Sequence, residues 1–287
     1  MEIIELEKGL RSFISELRED EISESSLKIY ESNIKLFISY LKEHNISNIS
    51  KTDYSDYKFY MKDVKNYQIS TINKYVVIIN KYMSYLGHDD MKIKQLRLQR
   101  KHYVENVPTV IDYKRMLRAA KKHDQVAYYF ILIASYTGMR VSAICDITIE
   151  SIKESKKNDD YISIYSKGKY NEVPFPAWLR REILQYAKNN KINSGYLFPS
   201  PKNPNKPMCR KTMWEKVHKM TGKARVSLDK GHPHALRHLL GKEITSQLND
   251  SKTVADILGH ESTKTTEQYQ QRTKKEISNI LNNFRFK

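Results

Sequence analysis

Hydrophobic side chains recur every three or four residues through the first ninety positions, which is the spacing of one face of an α-helix. The pattern predicts four helices: residues 3–17, residues 25–41, a short helix capped by Thr52 or Asp53, and residues 70–86. The fourth is the most regular, and Lys74 and Lys81 lie seven residues apart on another of its faces. Since no strand-like alternation occurs in this part, we predict a small four-helix domain.

The rest of the chain mixes helical and strand-like patterns. Helices are predicted from about residue 109, through an apolar stretch that ends at Gly138, and over residues 178–189, 211–221, 234–247, 252–258 and 274–284. Gly138 is well placed for a left-handed backbone after its helix. Residues 161–165 (YISIY) and 172–175 (EVPF) flank the turn SKGKYN and predict a β-hairpin. The predicted fold is therefore mainly α with a small β-hairpin or sheet, in two domains.

Charge is distributed unevenly along the 287 residues, which carry a formal net charge of +17. Residues 1–105 hold 17 basic and 16 acidic residues, net +1, whereas residues 106–287 hold 33 and 17, net +16. Such an excess indicates a polyanionic partner, most often nucleic acid. An AT-rich coding bias would also raise the lysine count, but it does not explain this clustering.

A basic segment marks the predicted boundary between the domains. Residues 92–102 (KIKQLRLQRKH) hold five Lys or Arg, and Pro108 ends the stretch. We predict that this segment is a linker, with domains over residues 1–104 and 105–287. A basic linker can follow a phosphate backbone from one domain to the next.

Composition excludes several classes of protein. The longest apolar run falls far short of the ~20 residues that a membrane span needs, so no membrane partner is expected. The first residues lack the layout of a signal peptide. Two cysteines, Cys145 and Cys209, are too few for a disulfide scaffold or a four-cysteine zinc site. We expect a basic cytoplasmic protein, associated with the nucleoid if the host is prokaryotic.

Six polar residues stand at the predicted ends of elements in the second region: Arg140, Lys167, His234, Arg237, His260 and Tyr269. Two guanidiniums can hold a phosphate through paired hydrogen bonds, and imidazoles can donate to the same oxygens or move protons. A lysine can protonate a leaving oxygen. A tyrosine hydroxyl can attack phosphorus, although its usual pKa of ~10 requires positive neighbours or a base. Because positioned cations can replace metal ions, we predict no metal and no other cofactor.

A metal site is the competing interpretation of the three histidines His232, His234 and His238. Their HxHxxxH spacing could present ligands to a zinc ion. No cysteine stands close by in the sequence to complete a zinc shell, which argues against a metal.

The ordered set resembles the tyrosine recombinase family, the integrase and Xer-like site-specific recombinases. The matching stretches are TGMRVSAICDIT at 137–148, SKGKYNEVP at 166–174, HALRH at 234–238 and LGHESTKTTEQY at 258–269. The order Arg, Lys, His, Arg, His, Tyr is that of the family, as is the interval from LGH to the tyrosine. A looser resemblance of STINKYVVIINKYMSYL to the family's core-binding domain extends over the first region.

This resemblance implies a DNA recombinase that needs neither metal nor ATP. It assigns the roles residue by residue: Tyr269 as the nucleophile that forms a 3′-phosphotyrosyl bond, Arg140 and Arg237 as the phosphate clamp, Lys167 as the general acid on the 5′-oxygen, His234 in proton transfer with the tyrosine, and His260 as a phosphate donor. It also implies that residues 1–104 are a core-binding DNA domain and that residues 105–287 are the catalytic domain.

Three features leave alternatives open or depart from the family. Lys169 shares the predicted turn with Lys167 and competes for the role of the general acid. The family commonly has an acidic residue three positions after the first arginine, where this chain has Ala143, so the support around Arg140 is expected to differ. The residues LLGKE that follow His238 replace the family's T-F-A-T, in a stretch that is mostly structural.

Assembly and biological role also follow from the resemblance. It implies a double-stranded DNA recombination site as partner, a cyclic homotetramer on two sites with a dimer on each, and possible accessory DNA-binding proteins. The helix over residues 274–284 is expected to dock on a neighbouring subunit, with packing on its own domain as the alternative. Resolution or integration of a mobile element and resolution of chromosome dimers are the candidate roles.

Two other functions and several DNA contacts remain hypotheses. A type IB topoisomerase-like enzyme would share the tyrosine chemistry but relax DNA without exchanging strands, and a DNA-binding regulator would retain only the scaffold. Candidate contacts to the DNA are five basic residues: Lys74, Lys81, Lys169, Arg210 and Lys211.

Overall fold

The computed structural model describes residues 1–98, 106–166 and 169–248. The chain divides into two compact units, Met1–Arg100 and Lys101–Lys287. The predicted boundary between residues 104 and 105 falls in the stretch 99–105, outside the described residues, and it stays a prediction. Each unit has its own hydrophobic core.

Four helices form the first unit, as the periodicity predicted. They are α1 (Ile3–Glu19), α2 (Glu24–Glu43), α3 (Lys51–Asp63) and α4 (Ile69–Tyr85), followed by a short 3₁₀ turn over Asp89–Met91. The predicted cap of α3 was wrong: Ser50 is the N-cap, and Asp53 forms the other half of its capping box. Helix α4 begins at Ile69, and Gln68 occupies its N-cap position.

Residues 92–98 are fixed to the first unit, although the sequence predicted a linker there. The side-chain amide of Asn80 donates to the carbonyl of Ile93 (2.9 Å) and accepts from its N–H (3.1 Å). Asn73 makes the same pair of bonds with Leu96, at 2.9 and 2.8 Å. Two helix side chains thus act as hydrogen-bonding partners for the backbone of this segment, which we call the strap.

The second unit is built around a buried central helix. Its helices are α5 (Val110–His123), α6 (Gln125–Thr137), α7 (Val141–Cys145), α8 (Ile149–Glu154), α9 (Ala177–Asn189), α10 (Arg210–Lys223) and α11 (Pro233–Leu248). Phe130, Ile131 and Ile133 of α6 are fully buried, and α5, α10 and α11 pack around this helix. The short helices α7 and α8 were not predicted. The predicted helices 252–258 and 274–284 lie outside the described residues.

Two antiparallel hairpins complete this unit. The first pairs β1 (Tyr161–Ser166) with β2 (Lys169–Pro174), and the second, which was not predicted, pairs β3 (Pro199–Ser200) with β4 (Asn203–Pro207). In the first hairpin Ser166 pairs with Lys169, so β2 begins three residues earlier than predicted. The predicted mainly helical, two-part fold with a small β component is confirmed.

Candidate active site

The end of α6 presents the first predicted arginine. Gly138 ends the helix with left-handed backbone angles, φ 62° and ψ 13°, as its position predicted. The Thr137 hydroxyl donates to the carbonyl of Ile133 (2.7 Å) and accepts from the N–H of Met139 (3.2 Å), which fixes the following turn. Arg140 then serves as the N-cap position of α7 and is exposed to solvent. The turn therefore holds its backbone firmly while its guanidinium stays accessible.

The second predicted arginine is attached to the same turn. Arg237 lies on α11 and is only 3% exposed. Its Nη1 atom donates a hydrogen bond to the carbonyl oxygen of Gly138. The residue that ends α6 thus connects Arg237 directly to the turn that carries Arg140.

The predicted histidine lies at the beginning of α11. His232 caps this helix, because its Nδ1 atom accepts from the N–H of Ala235 at 3.1 Å. His234 follows in the first turn, and its ring meets that of His238 edge to face, with centroids 5.0 Å apart. Since Arg237 is three positions after His234, both lie on adjacent turns of one helix.

Burial and neighbouring cations act on the predicted histidine. Burial lowers the pKa of His234, and the positive charges of Arg237, His232 and Arg140 lower it further. Burial also lowers the pKa of His232. The lowered pKa of His234 favours the neutral imidazole, which is the form that can accept a proton.

A cavity of about 270 Å³ opens where these elements meet. It is lined by the α6–α7 turn, by the hairpin and by α11: Thr137, Met139, Arg140, Ala143, Ile164, Tyr170, Asn171, Glu172, Val173 and Arg237. Both predicted arginines thus line one cavity. Ala143 also lines it, at the position where the family commonly has an acidic residue.

Sequence reasoning missed the contribution of β2 to this cavity. Asn171 pairs with the buried Ile164, so its side chain belongs to the inner face of the hairpin. Tyr170 pairs with Tyr165 on the outer face, and their ring centroids are 5.1 Å apart. Alternation along the strand would have indicated Asn171, but the predicted strand began one residue too late to include it.

Three of the six predicted site residues, Lys167, His260 and Tyr269, lie outside the described residues. Lys169 is the first residue of β2 rather than part of the turn, and its side chain lies outside the described part of the chain. The structure therefore brings Arg140, Arg237 and His234 together and leaves the other assignments as predictions.

The remaining candidate DNA contacts lie in both units. Lys74 and Lys81 are exposed on α4, and the Lys81 ammonium lies 5.8 Å from the ring centre of Tyr30. Arg210 and Lys211 begin α10 and are exposed, with Lys211 3.9 Å from Glu215. Exposure is compatible with DNA contact at all four positions.

The described ranges hold neither a group of metal ligands nor a membrane-spanning helix. Within residues 1–98, 106–166 and 169–248, no three histidine, cysteine or carboxylate side chains are grouped so that they could hold a metal ion. No helix in these ranges is long and apolar enough to cross a membrane.

Comparison with known proteins gives the class of the molecule. The sequence model described as the phage integrase family matches residues 108–276. The tyrosine recombinase XerA of Pyrococcus furiosus is 27% identical over 256 residues, which cover 86% of each chain. The tyrosine recombinase XerC of Bacillus subtilis is 23% identical over 286 residues, with 91% and 90% covered. The crystal structure of lambda integrase residues 75–356 bound to DNA superimposes with a TM-score of 0.73 at 17% identity and covers both chains completely.

The chain belongs to the phage integrase family. It is a tyrosine-type site-specific DNA recombinase, as the sequence resemblance predicted. Neither alternative function, a type IB topoisomerase-like enzyme or a DNA-binding regulator, is favoured by these relatives.

Proposed function

We propose that this recombinase cuts DNA by attack of Tyr269 on a phosphodiester held between Arg140 and Arg237. The observation that supports the proposal is the attachment of both arginines to one turn, through the bond from Arg237 to the Gly138 carbonyl. Two guanidiniums beside one cavity match the two non-bridging oxygens of a phosphate and stabilise the charge that develops on them.

The proposed chemistry balances without water, metal or ATP. The phenol oxygen of Tyr269 forms a bond to phosphorus while the bond from phosphorus to the 5′-oxygen breaks. His234, whose lowered pKa favours the neutral form, accepts the phenol proton, and Lys167 donates a proton to the leaving 5′-oxygen. His260 donates a further hydrogen bond to the phosphate. Because the phosphotyrosyl bond conserves the energy of the cut bond, a second 5′-hydroxyl can reverse the reaction.

The organisation around this chemistry is part of the same proposal. Residues 1–104 bind the DNA as a core-binding domain, and residues 105–287 carry the reaction. Lys74, Lys81, Lys169, Arg210 and Lys211 contact the DNA backbone. The protein acts in the cytoplasm on its DNA site, as a dimer on each site and a tetramer on two, in resolution or integration of a mobile element or in dimer resolution, with accessory DNA-binding proteins as candidate partners.

Covalent trapping tests the nucleophile. The wild-type protein is incubated in EDTA with DNA from its own genetic neighbourhood, the mixture is denatured, and attached DNA is sequenced. Tyr269→Phe should bind DNA and form no adduct. Tyr170→Phe is the matched control, because Tyr170 is the tyrosine among the described residues that lines the cavity. An adduct that disappears in Tyr170→Phe and persists in Tyr269→Phe would show that the assignment is wrong.

The general acid is tested with a modified substrate. Lys167→Ala should block cleavage of ordinary DNA and should be rescued when a bridging sulfur replaces the 5′-oxygen, since a thiolate leaves without protonation. Lys169→Ala should cleave both substrates at similar rates. The reverse pattern would assign the role to Lys169.

Assembly is tested by truncation. Removal of residues 274–287 should leave binding to a single site intact and should impair the pairing of two sites, measured by native gel electrophoresis. Recombination at the wild-type rate would contradict docking of this segment on a neighbouring subunit.

A further inference from the structure

A short 3₁₀ turn over Leu228–Lys230 leads the chain into α11. Within this turn the N–H of Lys230 donates to the carbonyl of Ser227 at 3.0 Å. His232 then caps α11, and His234 lies in the first turn of that helix. The position of His234 therefore depends on where the 3₁₀ turn is anchored.

An ion pair anchors the turn to the beginning of α5. Lys230 Nζ lies 2.9 Å from Asp112 Oδ2, and the two side chains are only 30% and 16% exposed, so water screens the pair less than a surface pair. The same carboxylate oxygen accepts from the N–H of Thr109 at 3.0 Å, within the capping box of α5. Burial acts to raise the pKa of Asp112, but hydrogen bonds with Thr109 and Lys230 lower it overall, which favours the charged form. Lys230 is thus held against a carboxylate that its own helix fixes.

A close contact anchors the next residue. Gly231 is buried, and a Cβ atom at this position would lie 2.5 Å from Oγ1 and 2.6 Å from Cβ of Thr221. Thr221 is fully buried on α10, and its hydroxyl donates to the carbonyl of Val217 at 2.9 Å. A residue with a side chain would therefore force the chain away from α10. Two consecutive residues, Lys230 and Gly231, are thus fixed on two different helices.

We propose that the ion pair of Lys230 and the close contact of Gly231 position the imidazole of His234 for proton transfer. Lys230, Asp112 and Gly231 are positioning residues, because they act through the backbone that leads to His234. The inference rests on the proposed role of His234 as acceptor of the phenol proton. Since a displacement of about 1 Å at a reacting group can cost on the order of a hundredfold in rate, anchors three and four residues before His234 affect its chemistry.

The pKa of His234 in the free protein tests its position without DNA. Burial lowers this pKa, and three neighbouring basic groups lower it further: Arg237, His232 and Arg140. The ring of His238 packs edge to face against it, and the carboxylate of Asp229 on the 3₁₀ turn acts on His232. A His234 displaced from these surroundings should have a pKa closer to the ordinary value. The measurement is an NMR titration of the imidazole signals, assigned with His234→Gln.

Two variants change the charge of the ion pair in opposite directions. Lys230→Met removes a positive charge, and Asp112→Asn removes a negative charge while it keeps an oxygen that can accept from Thr109. Lost charge alone would raise the pKa of His234 in the first variant and lower it in the second. Displacement of the imidazole raises the pKa in both. We therefore expect a rise in both variants.

The rate of adduct formation tests the consequence for the reaction. The full chain reacts in a single turnover with a nicked suicide duplex that bears the sequence recovered by covalent trapping of the wild-type protein. Lys230→Met and Asp112→Asn should each slow the reaction on the order of tenfold, and the double variant should be no slower, because the two residues act as a unit. Lys230→Arg, which keeps a charged donor, should restore most of the rate.

A second ion pair of the same kind provides the matched control. Lys216 Nζ lies 2.7 Å from Asp124 Oδ2, with the side chains 28% and 18% exposed, and Asp124 caps α6 through the N–H of Ala127. Lys216→Met therefore removes a comparable pair and leaves the 3₁₀ turn anchored. It should change neither the rate nor the pKa of His234.

The glycine contact has its own matched pair of variants. Gly231→Ala forces a shift against Thr221 and should slow adduct formation on the order of tenfold. Gly222→Ala adds a Cβ atom 3.8 Å from Leu228 Cδ2, an ordinary contact, and should react at close to the wild-type rate.

Three outcomes would overturn the proposal, with all rates measured at a temperature where circular dichroism shows every variant folded. The first is a wild-type rate in Lys230→Met and Asp112→Asn. The second is a His234 pKa that falls in Asp112→Asn. The third is an equal loss of rate in Lys216→Met, since lost stability would then explain the effect. A wild-type protein that forms no adduct would contradict the proposed function, and the NMR titration would still decide the positioning of His234.

Discussion

Alanine variants of two glycines can distinguish a loss of stability in the second unit from a change in the geometry of its site. Gly138 has φ 62° and Gly195 has φ 75°, both in the left-handed region that side chains with a Cβ atom disfavour. An alanine there costs about 1–2 kcal/mol. An added Cβ at Gly195 meets nothing within 4 Å, so backbone strain is its main cost. Gly138 is buried, so its alanine variant loses at least as much stability.

Gly138 contacts a residue of the candidate site, and in this it differs from Gly195. The carbonyl of Gly138 accepts the hydrogen bond from Arg237, and the chain reaches Arg140 two residues later. A change in the backbone angles of Gly138 therefore moves both arginines relative to each other. Because a displacement of about 1 Å can cost on the order of a hundredfold in rate, we expect Gly138→Ala to slow cleavage by tenfold or more. Gly195→Ala should cleave at close to the wild-type rate.

The assay compares folding with chemistry in the same two variants. Thermal unfolding followed by circular dichroism should show a fall in Tm of roughly 2–8 °C for a cost of 1–2 kcal/mol. Single-turnover formation of the covalent adduct is then measured on a nicked suicide substrate, at a temperature where both variants are folded. A wild-type rate for Gly138→Ala would refute the reasoning. Equal rate losses in the two variants would also refute it, because strain alone would then explain them.

Three further predictions concern capping, cysteine reactivity and pH. Ser50→Ala should lower the free energy of unfolding of the first unit by about 1 kcal/mol in urea titrations, whereas Thr52→Ala should change it little. Iodoacetamide should label Cys209, which is exposed and whose pKa is lowered by hydrogen bonds with the side chain and backbone of Thr212. Mass spectrometry should find Cys145 unmodified until the protein unfolds, because Cys145 is buried and burial raises its pKa to about 12. Because the pKa of His234 is lowered in the folded protein, the unfolded chain binds more protons than the folded protein below about pH 6.5. The free energy of unfolding should therefore decrease as the pH is lowered through that range, and it should decrease less in His234→Gln.

Periodicity predicted the long helices because each of them buries one stripe of apolar residues. It did not predict their first residues, since the N-cap is determined by local backbone geometry. Ser50 and Thr52 are both residue types that can cap a helix, so the sequence alone does not decide between them. The second hairpin was missed for a different reason. Its sequence, PSPKNPNKP, has no apolar alternation, and its register places Ser200 opposite Asn203 and Pro199 opposite Pro207.

The sequence predicted which residues belong to the candidate site, but it did not predict the contacts between them. Arg140, His234 and Arg237 stood out because cations at element ends matched a known order. The bond from Arg237 to the Gly138 carbonyl connects positions 99 residues apart, so no local pattern contains it. The strap was hidden in the same way, since Asn73 and Asn80 read as ordinary polar positions of an amphipathic helix until tertiary structure showed their partners.

The hydrogen bond from Arg237 to the Gly138 carbonyl bears on how a buried cation could hold the proposed phosphate. Burial of a guanidinium is costly unless its donors are bonded. The carbonyl of Gly138 satisfies one of these donors and, because it is neutral, adds no opposing charge. Burial lowers the pKa of His234, and the charges of Arg237 and Arg140 lower it further. A phosphodiester held as we propose would bring negative charge to the two guanidiniums.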